Sequence, residues 1–409
     1  MDPKFRAAYN AAYSATLYER YVSLLTRELG AIPAFPLAET PVFLTDELAV
    51  ALTRTAEEIV GLLADPGRTE RMKAAIPERW RVPRMDAFPS LLQVDLAVTQ
   101  RDGHLVPKLI ELQGFPSLSA FEVIQAAVWS ECLRGLPGLP DKEWRPYFSG
   151  LDRERFVSLL RRVIVGEHAP ENVILMDLAP EKQKTWADFV ATRQLLGVDP
   201  VCPTALEREG RRLFRRKDGR RIAVERIYNR VVFDELIREE VQLPFDFRDD
   251  LDVEWTPHPN WYWTYSKASL PLLDHPAVPK ATYLSELREL PGDLTERYVL
   301  KPLFSYAGGG VNLEPTAEAI DRIPEHERSG WCLQEKIDYA PCLRAADGGG
   351  VKVEIRMMFF CPDTAPGGTP RPVLGLNLCR LSRGKMLGVD FNKGFTWVGS
   401  SVALSPAGR

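Results

Sequence analysis

The segment from Lys267 to Ile337 contains Tyr298-Val299-Leu300-Lys301-Pro302, then Gly308-Gly309-Gly310-Val311, and finally Gln334-Glu335-Lys336-Ile337. The apolar run Tyr298–Leu300 predicts a short strand that would carry Lys301 into a cleft. Three successive glycines expose backbone N–H groups, and these suit a close approach to phosphate oxygens. Lys267 and Lys301 would bring point charges to the same phosphates. The order of these pieces predicts a pocket for a nucleoside triphosphate.

The same segment offers a place for a purine base. Val299, Leu300 and Trp331–Leu333 are apolar enough to sandwich the ring, and the polar stretch after them could offer main-chain groups to the base edge. The predicted nucleotide-binding residues are Lys267, Lys301, Ala307, Gly308, Gly309, Gly310, Gln334, Glu335, Lys336 and Ile337.

The overall composition is that of an ordinary globular protein. The chain has 409 residues, of which 45% are hydrophobic and 26% charged, and its net charge is −4. This length predicts about two or three domains, and the acidic balance argues against a general affinity for nucleic acid. Six cysteines are scattered without C-x-x-C spacing, which favours reduced thiols. We find no long apolar run and no export signal, so we expect a cytoplasmic protein that does not bind membranes.

Residues 4–64 show the apolar spacing of helices. Thr45-Asp46-Glu47 reads as the start of one helix, and Pro33, Pro36 and Pro41 separate it from the helix before. We expect this segment to serve core packing.

Residues 91–113 predict a hairpin that carries two acids. Leu92 to Val98 alternates like a half-buried strand, Arg101-Asp102-Gly103-His104 is a turn signal, and Val106 to Gln113 returns as the second strand. Asp95 and Glu111 would lie at the same end of this hairpin. They would be either ligands for Mg²⁺ or solvated acids at the strand ends.

Residues 172–202 predict a small α/β layer. An apolar strand at 172–177, a helix from Thr185 to Leu196 with Gly197 as its cap, and a strand at 199–202 give the order β-α-β. No G-x-G-x-x-G follows the first strand, so a dinucleotide site is not expected.

Two segments have open interpretations. The basic stretch 211–221 surrounds the turn signal Asp218-Gly219, and it is either a solvated face or a patch for an acidic partner. The aromatic stretch 255–265 either stacks bases or packs a domain interface. A nucleic-acid-associated protein is therefore one alternative class.

Several motifs in order resemble a known family. His258-Pro259-Asn260-Trp261 leads to Ser266-Lys267, and the Leu-Lys-Pro strand, the glycine loop and the Gln-Glu-Lys-Ile stretch follow. This order resembles the second half of an ATP-grasp domain, in the circularly permuted, glutathionylspermidine synthase-like branch of that superfamily. The resemblance implies an α/β fold with α+β layers, a pre-ATP-grasp-like α/β domain and a helical N-terminal segment. It also implies ATP and Mg²⁺ as cofactors.

The resemblance extends to the metal site. Glu111-Leu112-Gln113 and the following Gly114-Phe115-Pro116-Ser117 are similar to the family's Glu-x-Asn run, which implies Asp95, Glu111 and Gln113 as metal ligands. Gln113 stands where Asn is usual, which places its amide oxygen one methylene further out. Asp86 competes for the position of the first acid, and Asp390-x-Asn392 is a rival motif.

The resemblance also assigns roles to late residues. Arg356, on the same face of a predicted strand as Glu354, would act in catalysis with Lys267 by stabilising the transferred phosphate; alternatively it forms a salt bridge with Glu354. Arg230 would hold a substrate carboxylate or pair with Asp234 or Glu235, and Arg380 and Asn392 would line the acceptor side.

Together these features predict three parts. Residues 1–148 would hold the helices and the metal-binding hairpin, 149–262 the substrate-side domain, and 263–409 the nucleotide-binding part. The expected activity is an ATP-dependent ligase that joins a small acid to a small amine through an acyl phosphate. An ATP-grasp phosphotransferase or a non-catalytic nucleotide-binding module is the second alternative class.

Overall fold

The central sheet joins residues 91–113 to residues 343–401. Its strands, in spatial order, are Gly399–Ser401, Val373–Ser382, Gly350–Phe360, Leu91–Arg101 and His104–Gln113, with Leu343–Arg344 paired to the middle strand. All of these pairings are antiparallel. This computed structural model describes residues 1–304, 309–364, 367–385, 387 and 389–407.

The hairpin of residues 91–113 has the predicted turn, but residues 91–99 are buried on both faces and not half-buried as the alternation predicted. Asp102 and Gly103 have φ angles of 50° and 83°, the left-handed conformation that a two-residue hairpin turn requires. The strand register places Asp95 opposite Glu111. The two acids therefore lie at the same end of the hairpin, as predicted.

The helices of the N-terminal segment agree with the periodicity of the sequence. The hydroxyl of Thr45 accepts from the N–H of Leu48 at the start of the third helix, and Gly30 ends the second in the left-handed conformation. The α-helices are Pro3–Ala12, Ala15–Leu29, Asp46–Leu63, Pro66–Met72, Ser119–Leu133, Arg153–Ile164, Trp186–Leu196, Phe233–Arg238, Trp261–Thr264, Leu294–Arg297 and Ala317–Asp321. Short 3₁₀ helices occupy Lys73–Ala75, Glu78–Trp80, Pro170–Asn172, Pro180–Lys182, Pro203–Ala205, Lys267–Leu272, Leu284–Glu286, Glu325–Gly330 and Val389–Asn392.

A parallel sheet forms within residues 173–256. Its strands, in spatial order, are Glu254–Thr256, Arg226–Asn229, Val173–Met176 and Asp199–Val201. The helix Trp186–Leu196 connects the last two strands and ends at Gly197 in the left-handed conformation, so the predicted β-α-β order is confirmed. The basic stretch forms a separate antiparallel sheet of Glu207–Glu209, Arg212–Lys217 and Arg220–Val224.

Two further three-stranded sheets complete the architecture. The Lys301 sheet, our name for Ala281–Tyr283, Trp331–Glu335 and Tyr298–Pro302, is antiparallel and has the second of these strands in the middle. The edge sheet combines Val42–Phe43, Ala403–Pro406 and Trp144–Arg145. The edge sheet thus ties the first helices to the end of the described chain.

The largest hydrophobic core packs against the central sheet. Ile355 and Met357 belong to this core, whereas Glu354 and Arg356 point to the opposite face because side chains alternate along a strand. Helix Ser119–Leu133 packs in the same core and is buried on nearly all sides. The stretch 255–265 also serves packing, since Trp261 lies in this core and Trp263 in a second core. The fold is mixed α/β; the division at residues 148 and 262 stays a prediction.

Candidate functional site

The acidic end of the 91–113 hairpin faces two lysines from the second half of the chain. Lys267 begins a 3₁₀ helix that Ser266 caps, and its Nζ lies 3.6 Å from Glu111 Oε2. Lys301 lies on the Lys301 sheet, in the strand Tyr298–Pro302, and is 9% exposed. Burial lowers the pKa of Lys301, while the negative charge of Glu111 opposes this shift. The structure therefore brings Glu111, Lys267 and Lys301 into one cluster.

Glu111 stays ionised in this cluster. Burial alone would raise the pKa of its carboxyl group, but the positive charges of Lys267, Arg380 and Lys301 outweigh burial and lower the pKa to about 2. An opposite charge close to a carboxyl group stabilises its charged form. Glu111 is thus a fixed negative charge at any pH near neutrality.

Asp95 holds two arginines on the charged face of the central sheet. Arg356 donates to it through Nε at 2.6 Å and through Nη2 at 2.7 Å. Arg380 Nη2 donates to the same carboxylate at 2.9 Å and also to Glu354. Arg356 therefore lies in the cluster as predicted, but its partner is Asp95 across the sheet and not Glu354 on its own strand.

The predicted Mg²⁺ site needs a correction. Asp95, Glu111 and Gln113 lie together, but Gln113 Nε2 donates to Asp95 Oδ2 at 3.0 Å and to Glu111 Oε1 at 2.7 Å. The amide therefore presents its nitrogen to both acids, whereas Mg²⁺ requires oxygen ligands. Within the described part of the chain, no group of three His, Cys, Asp or Glu side chains could hold a metal ion. The three residues do not fit Mg²⁺ because both acids are already paired with donors.

On the face that carries the side chain of Lys301, the Lys301 sheet has polar groups without hydrogen-bond partners among the described residues. Lys301 pairs with Cys332 and Val299 with Gln334, so the side chains of Lys301 and Gln334 share one face. Gln334 is fully buried, and neither atom of its amide has a hydrogen-bond partner. Among the described residues, Lys301 forms no hydrogen bond or ion pair either. A buried polar group without a partner is costly, so this face is suited to a polar ligand.

The two main-chain N–H groups directly after Gln334 already donate hydrogen bonds within the protein. The N–H of Glu335 donates to the carbonyl of Lys280 at 2.9 Å, and the N–H of Lys336 donates to that of Arg297 at 2.7 Å. The expectation that these two N–H groups recognise a base edge is therefore corrected, because the sheet and its flanking turn already use them. Ile337 follows directly and is half-buried.

The glycine loop is described only in part. Gly309 and Gly310 are exposed in a turn, and Gly310 has a φ of 72°. A Cβ at Gly310 would lie 3.1 Å from Pro302 Cγ, next to the strand that carries Lys301. The predicted residues Ala307 and Gly308 lie outside the described residues.

Arg230 lies in the interior and not in the cluster. Its side chain is 2% exposed and its Nη1 donates to Asp188 Oδ2 at 2.6 Å. The partner is thus neither Asp234 nor Glu235, and the guanidinium does not point into an open cleft. Asp188 also accepts from the N–H groups of Leu118, Ala120 and Phe121. The predicted substrate role of Arg230 is corrected to a structural ion pair at the start of a helix.

Asn392 and the two rival acids also have other positions. Asn392 Oδ1 accepts from Ser382 Oγ and from the N–H groups of Arg383 and Gly384 at 3.0 Å, so it holds the turn after a central strand. Asp86 accepts from the indole N–H of Trp261, and burial raises the pKa of its carboxyl group to about 7. The side chain of Asp390 is outside the described atoms.

Two residues of the cluster, Tyr339 and Ser117, were given no role by sequence reasoning. Tyr339 donates its hydroxyl to Glu354 Oε2 at 2.9 Å, and Ser117 Oγ accepts from Arg356 Nη1 at 2.9 Å. Glu354 is 2% exposed, and burial raises the pKa of its carboxyl group. The alternation along the strand placed Glu354 on the correct face, whereas no periodic signal marks Tyr339.

The basic stretch is neutralised by neighbouring acids. Its ion pairs are Arg211 with Asp250 and Asp252, Arg215 and Lys217 with Asp199, Arg216 with Glu207, Arg220 with Glu171, and Arg221 with Glu207 and Glu209. Most of these partners are exposed, as a solvated face would be. The nucleic-acid alternative thereby loses the free basic patch on which it depended.

Comparisons with known proteins agree with the fold. No protein-family model matches this chain, and no curated protein matches it. Among solved structures, it is similar to a glutathione synthetase-like effector from Globodera pallida in its apo form, with a TM-score of 0.57 and 14% identity. The match covers 91% of this chain and 96% of that chain. At this identity the likeness shows a shared fold of the glutathione synthetase-like kind, while the circular permutation stays a prediction.

Over the described ranges, the helices are too short or too polar to cross a bilayer.

Proposed function

We propose that this protein is an ATP-grasp-type ligase that uses ATP to join a small carboxylic acid to a small amine. One observation carries the proposal: Lys301 is a buried ammonium group without an ion pair among the described residues, and the unpartnered amide of Gln334 lies on the same face. A buried charge needs a counter-ion. A nucleotide would supply phosphates to Lys301 and a base edge to Gln334.

The charge of the cluster also supports an anionic ligand. Four cations face three acids, which leaves an excess of one positive charge; the groups are Lys267, Lys301, Arg356, Arg380, Asp95, Glu111 and Glu354. Because most of these groups are buried, solvent screens their charges little. We assign phosphate binding to Lys267 and Lys301, and stabilisation of the transferred group to an arginine of the cluster.

The proposed reaction has two steps. A carboxylate oxygen of the acid attacks the γ-phosphorus, the bond to the bridging oxygen of ADP breaks, and an acyl phosphate forms. The amine then attacks the acyl carbon, phosphate leaves with the C–O electron pair, and the amine loses a proton to give an amide. We assign no step to a bound metal ion, because both acids of the hairpin are paired with donors.

We also propose a cytoplasmic location, since all six cysteines are unpaired.

A second candidate is a nucleotide-binding module without turnover. It is favoured by Gln113, whose amide bridges both acids as a donor and so closes the position where a metal-dependent ligase needs open oxygens. The two candidates share the nucleotide pocket and differ in turnover.

The test is a screen of amino acids, small peptides and polyamines for ADP release that requires both an acid and an amine. K301A should abolish both nucleotide binding and ADP release, whereas K108A should change neither, since Lys108 is half-buried and its amine forms an exposed hydrogen bond to the carbonyl of Pro276. Nucleotide binding without ADP release would favour the module. Nucleotide binding that persists in K301A would overturn the pocket itself.

A further inference from the structure

Asp95 and Arg380 have different contacts from those that the sequence resemblance implies. We propose that Asp95 is a positioning residue for an arginine pair and not a metal ligand, and that Arg380 is the arginine that contacts the reacting anion. This inference rests on the proposed ligase function. It concerns the same site and names what its charged groups do.

Asp95 accepts several hydrogen bonds from neighbouring side chains. Its Oδ1 accepts from Arg356 Nε, and its Oδ2 accepts from Arg356 Nη2, Arg380 Nη2 and Gln113 Nε2, all within 3.0 Å. The side chain is fully buried. A carboxylate has about four lone-pair sites, two on each oxygen, so the three donors occupy Oδ2, while Oδ1 keeps one site that is buried with the rest of the side chain. A metal ion could therefore reach Asp95 only if the groups packed around it moved.

Arg356 donates from all three of its guanidinium nitrogens. Two of its nitrogens face Asp95 and the third faces Ser117 Oγ at 2.9 Å. Its side chain is 6% exposed. A guanidinium held on three sides is well fixed, but it has little surface left for a ligand. Arg356 is therefore placed to hold Asp95 rather than to reach a mobile substrate.

Arg380 lies at the solvent-accessible side of the cluster around Asp95. Its side chain is 37% exposed, and only Nη2 is bonded, to Asp95 and Glu354. Within the described ranges, Nη1 has no hydrogen-bond partner. Glu354 is itself fixed by the hydroxyl of Tyr339 at 2.9 Å. Arg380 is thus anchored at one nitrogen and presents another toward solvent.

This arrangement suits a step in which charge develops on a phosphoryl group. As the carboxylate oxygen bonds to the γ-phosphorus and the bond to ADP breaks, the three equatorial oxygens carry the charge. Donors that are fixed beforehand stabilise such charge without reorganising. Asp95, Glu354 and Tyr339 supply this fixation to Arg380, and Arg356 locks Asp95.

The first test compares the two arginines by chemical rescue. R380A should lower kcat about 100-fold or more with little change in the KM for ATP, and guanidinium at a non-denaturing concentration should restore part of the rate. R356A should not respond to guanidinium, because its site is closed. R383A is the control: Arg383 pairs with Asp347 near the end of the same strand, and its removal should leave kcat unchanged. Rescue of R356A but not of R380A would overturn the assignment.

The second test separates positioning from metal binding at Asp95. D95N should lower kcat about 10–100-fold without changing the Mg²⁺ concentration that gives half-maximal rate. The control D347N removes an exposed partner of Arg383 and should change neither. If D95N instead raises that Mg²⁺ concentration and excess Mg²⁺ restores the rate, Asp95 is a metal ligand and the proposal is overturned. D95E replaces D95N if the latter fails to fold, as judged by far-UV circular dichroism.

A third measurement does not depend on activity. The Nε–H of Arg356 is buried against Asp95, so its NMR signal should exchange slowly with solvent in the wild type and in D347N, and quickly in D95N. A wild type without ADP release would refute the proposed function and leave this signal as the test of positioning. A signal that D95N does not change would refute positioning whatever the activity.

Discussion

Asp188 and Arg230 form a buried ion pair, and we expect its removal to destabilise the protein strongly. The side chains are 0% and 2% exposed, and Arg230 Nη1 donates to Asp188 at 2.6 Å. The same carboxylate accepts from the N–H groups of Leu118, Ala120 and Phe121, each at 3.0 Å. It therefore neutralises a buried guanidinium and satisfies the start of a buried helix.

The size of the effect follows from these two roles. Removing one partner of a buried ion pair costs about 3–5 kcal/mol, and losing a helix cap costs about 1–2 kcal/mol. Because both roles use one carboxylate, we expect D188A to lower the free energy of unfolding by about 4–6 kcal/mol. R230A should lower it by about 3–5 kcal/mol. The double variant should cost less than the sum of the two by about 2 kcal/mol.

The assay is urea unfolding of the four proteins, followed by tryptophan fluorescence and far-UV circular dichroism. As a control, the exposed pair Arg54 and Glu58 should give no measurable coupling in the same cycle. If R230A keeps the wild-type stability but loses ADP release, Arg230 binds substrate and our structural interpretation is refuted.

Three further predictions concern single positions. G114A should lower the free energy of unfolding by about 1–3 kcal/mol or more, since a Cβ would lie 2.2 Å from the carbonyl oxygen of Trp261; urea unfolding measures this. Burial raises the pKa of Asp177 to about 8, so the folded protein keeps this proton at pH values where the unfolded chain has already lost it. The free energy of unfolding should therefore fall as the pH rises from the unfolded pKa of this group toward 8, and D177N should remove this part of the pH dependence. The pKa of Glu111 is lowered to about 2, so its stabilising contribution is present above its unfolded pKa and is lost as the pH falls toward 2; E111Q should therefore be less stable than the wild type near neutral pH and approach it in acid.

The local structure was predictable where turn chemistry and periodicity agree. Asp102-Gly103 and Asp218-Gly219 both form hairpin turns in which the two residues have positive φ, because these residue types tolerate that conformation. The helices Ala15–Leu29 and Asp46–Leu63 were likewise readable from their apolar spacing. In each case the deciding contacts lie within a few residues of one another.

The site was predictable as a set of residues but not as a set of contacts. Asp95 and Arg356 were each singled out, yet their ion pair joins positions that are 261 residues apart. Which donor reaches which acid depends on the register between the strands Leu91–Arg101 and Gly350–Phe360, and one sequence does not reveal that register. For the same reason the partner of Arg230 was missed, because Asp188 lies on a helix of another segment.

The two buried groups of charge differ in what they leave unused. A sheet face that only had to fold would be at least as stable with apolar side chains, because desolvation of ions offsets much of their attraction. Asp188 directs its carboxylate oxygens to a helix start and to Arg230, so the fold accounts for its charge. The cluster around Asp95 leaves Arg380 Nη1 and Lys301 without partners among the described residues. The pair of Arg230 and Asp188 leaves one buried donor, Arg230 Nε, without a partner, whereas the donors of the second group include a whole ammonium group, and a bound anion is what would satisfy them.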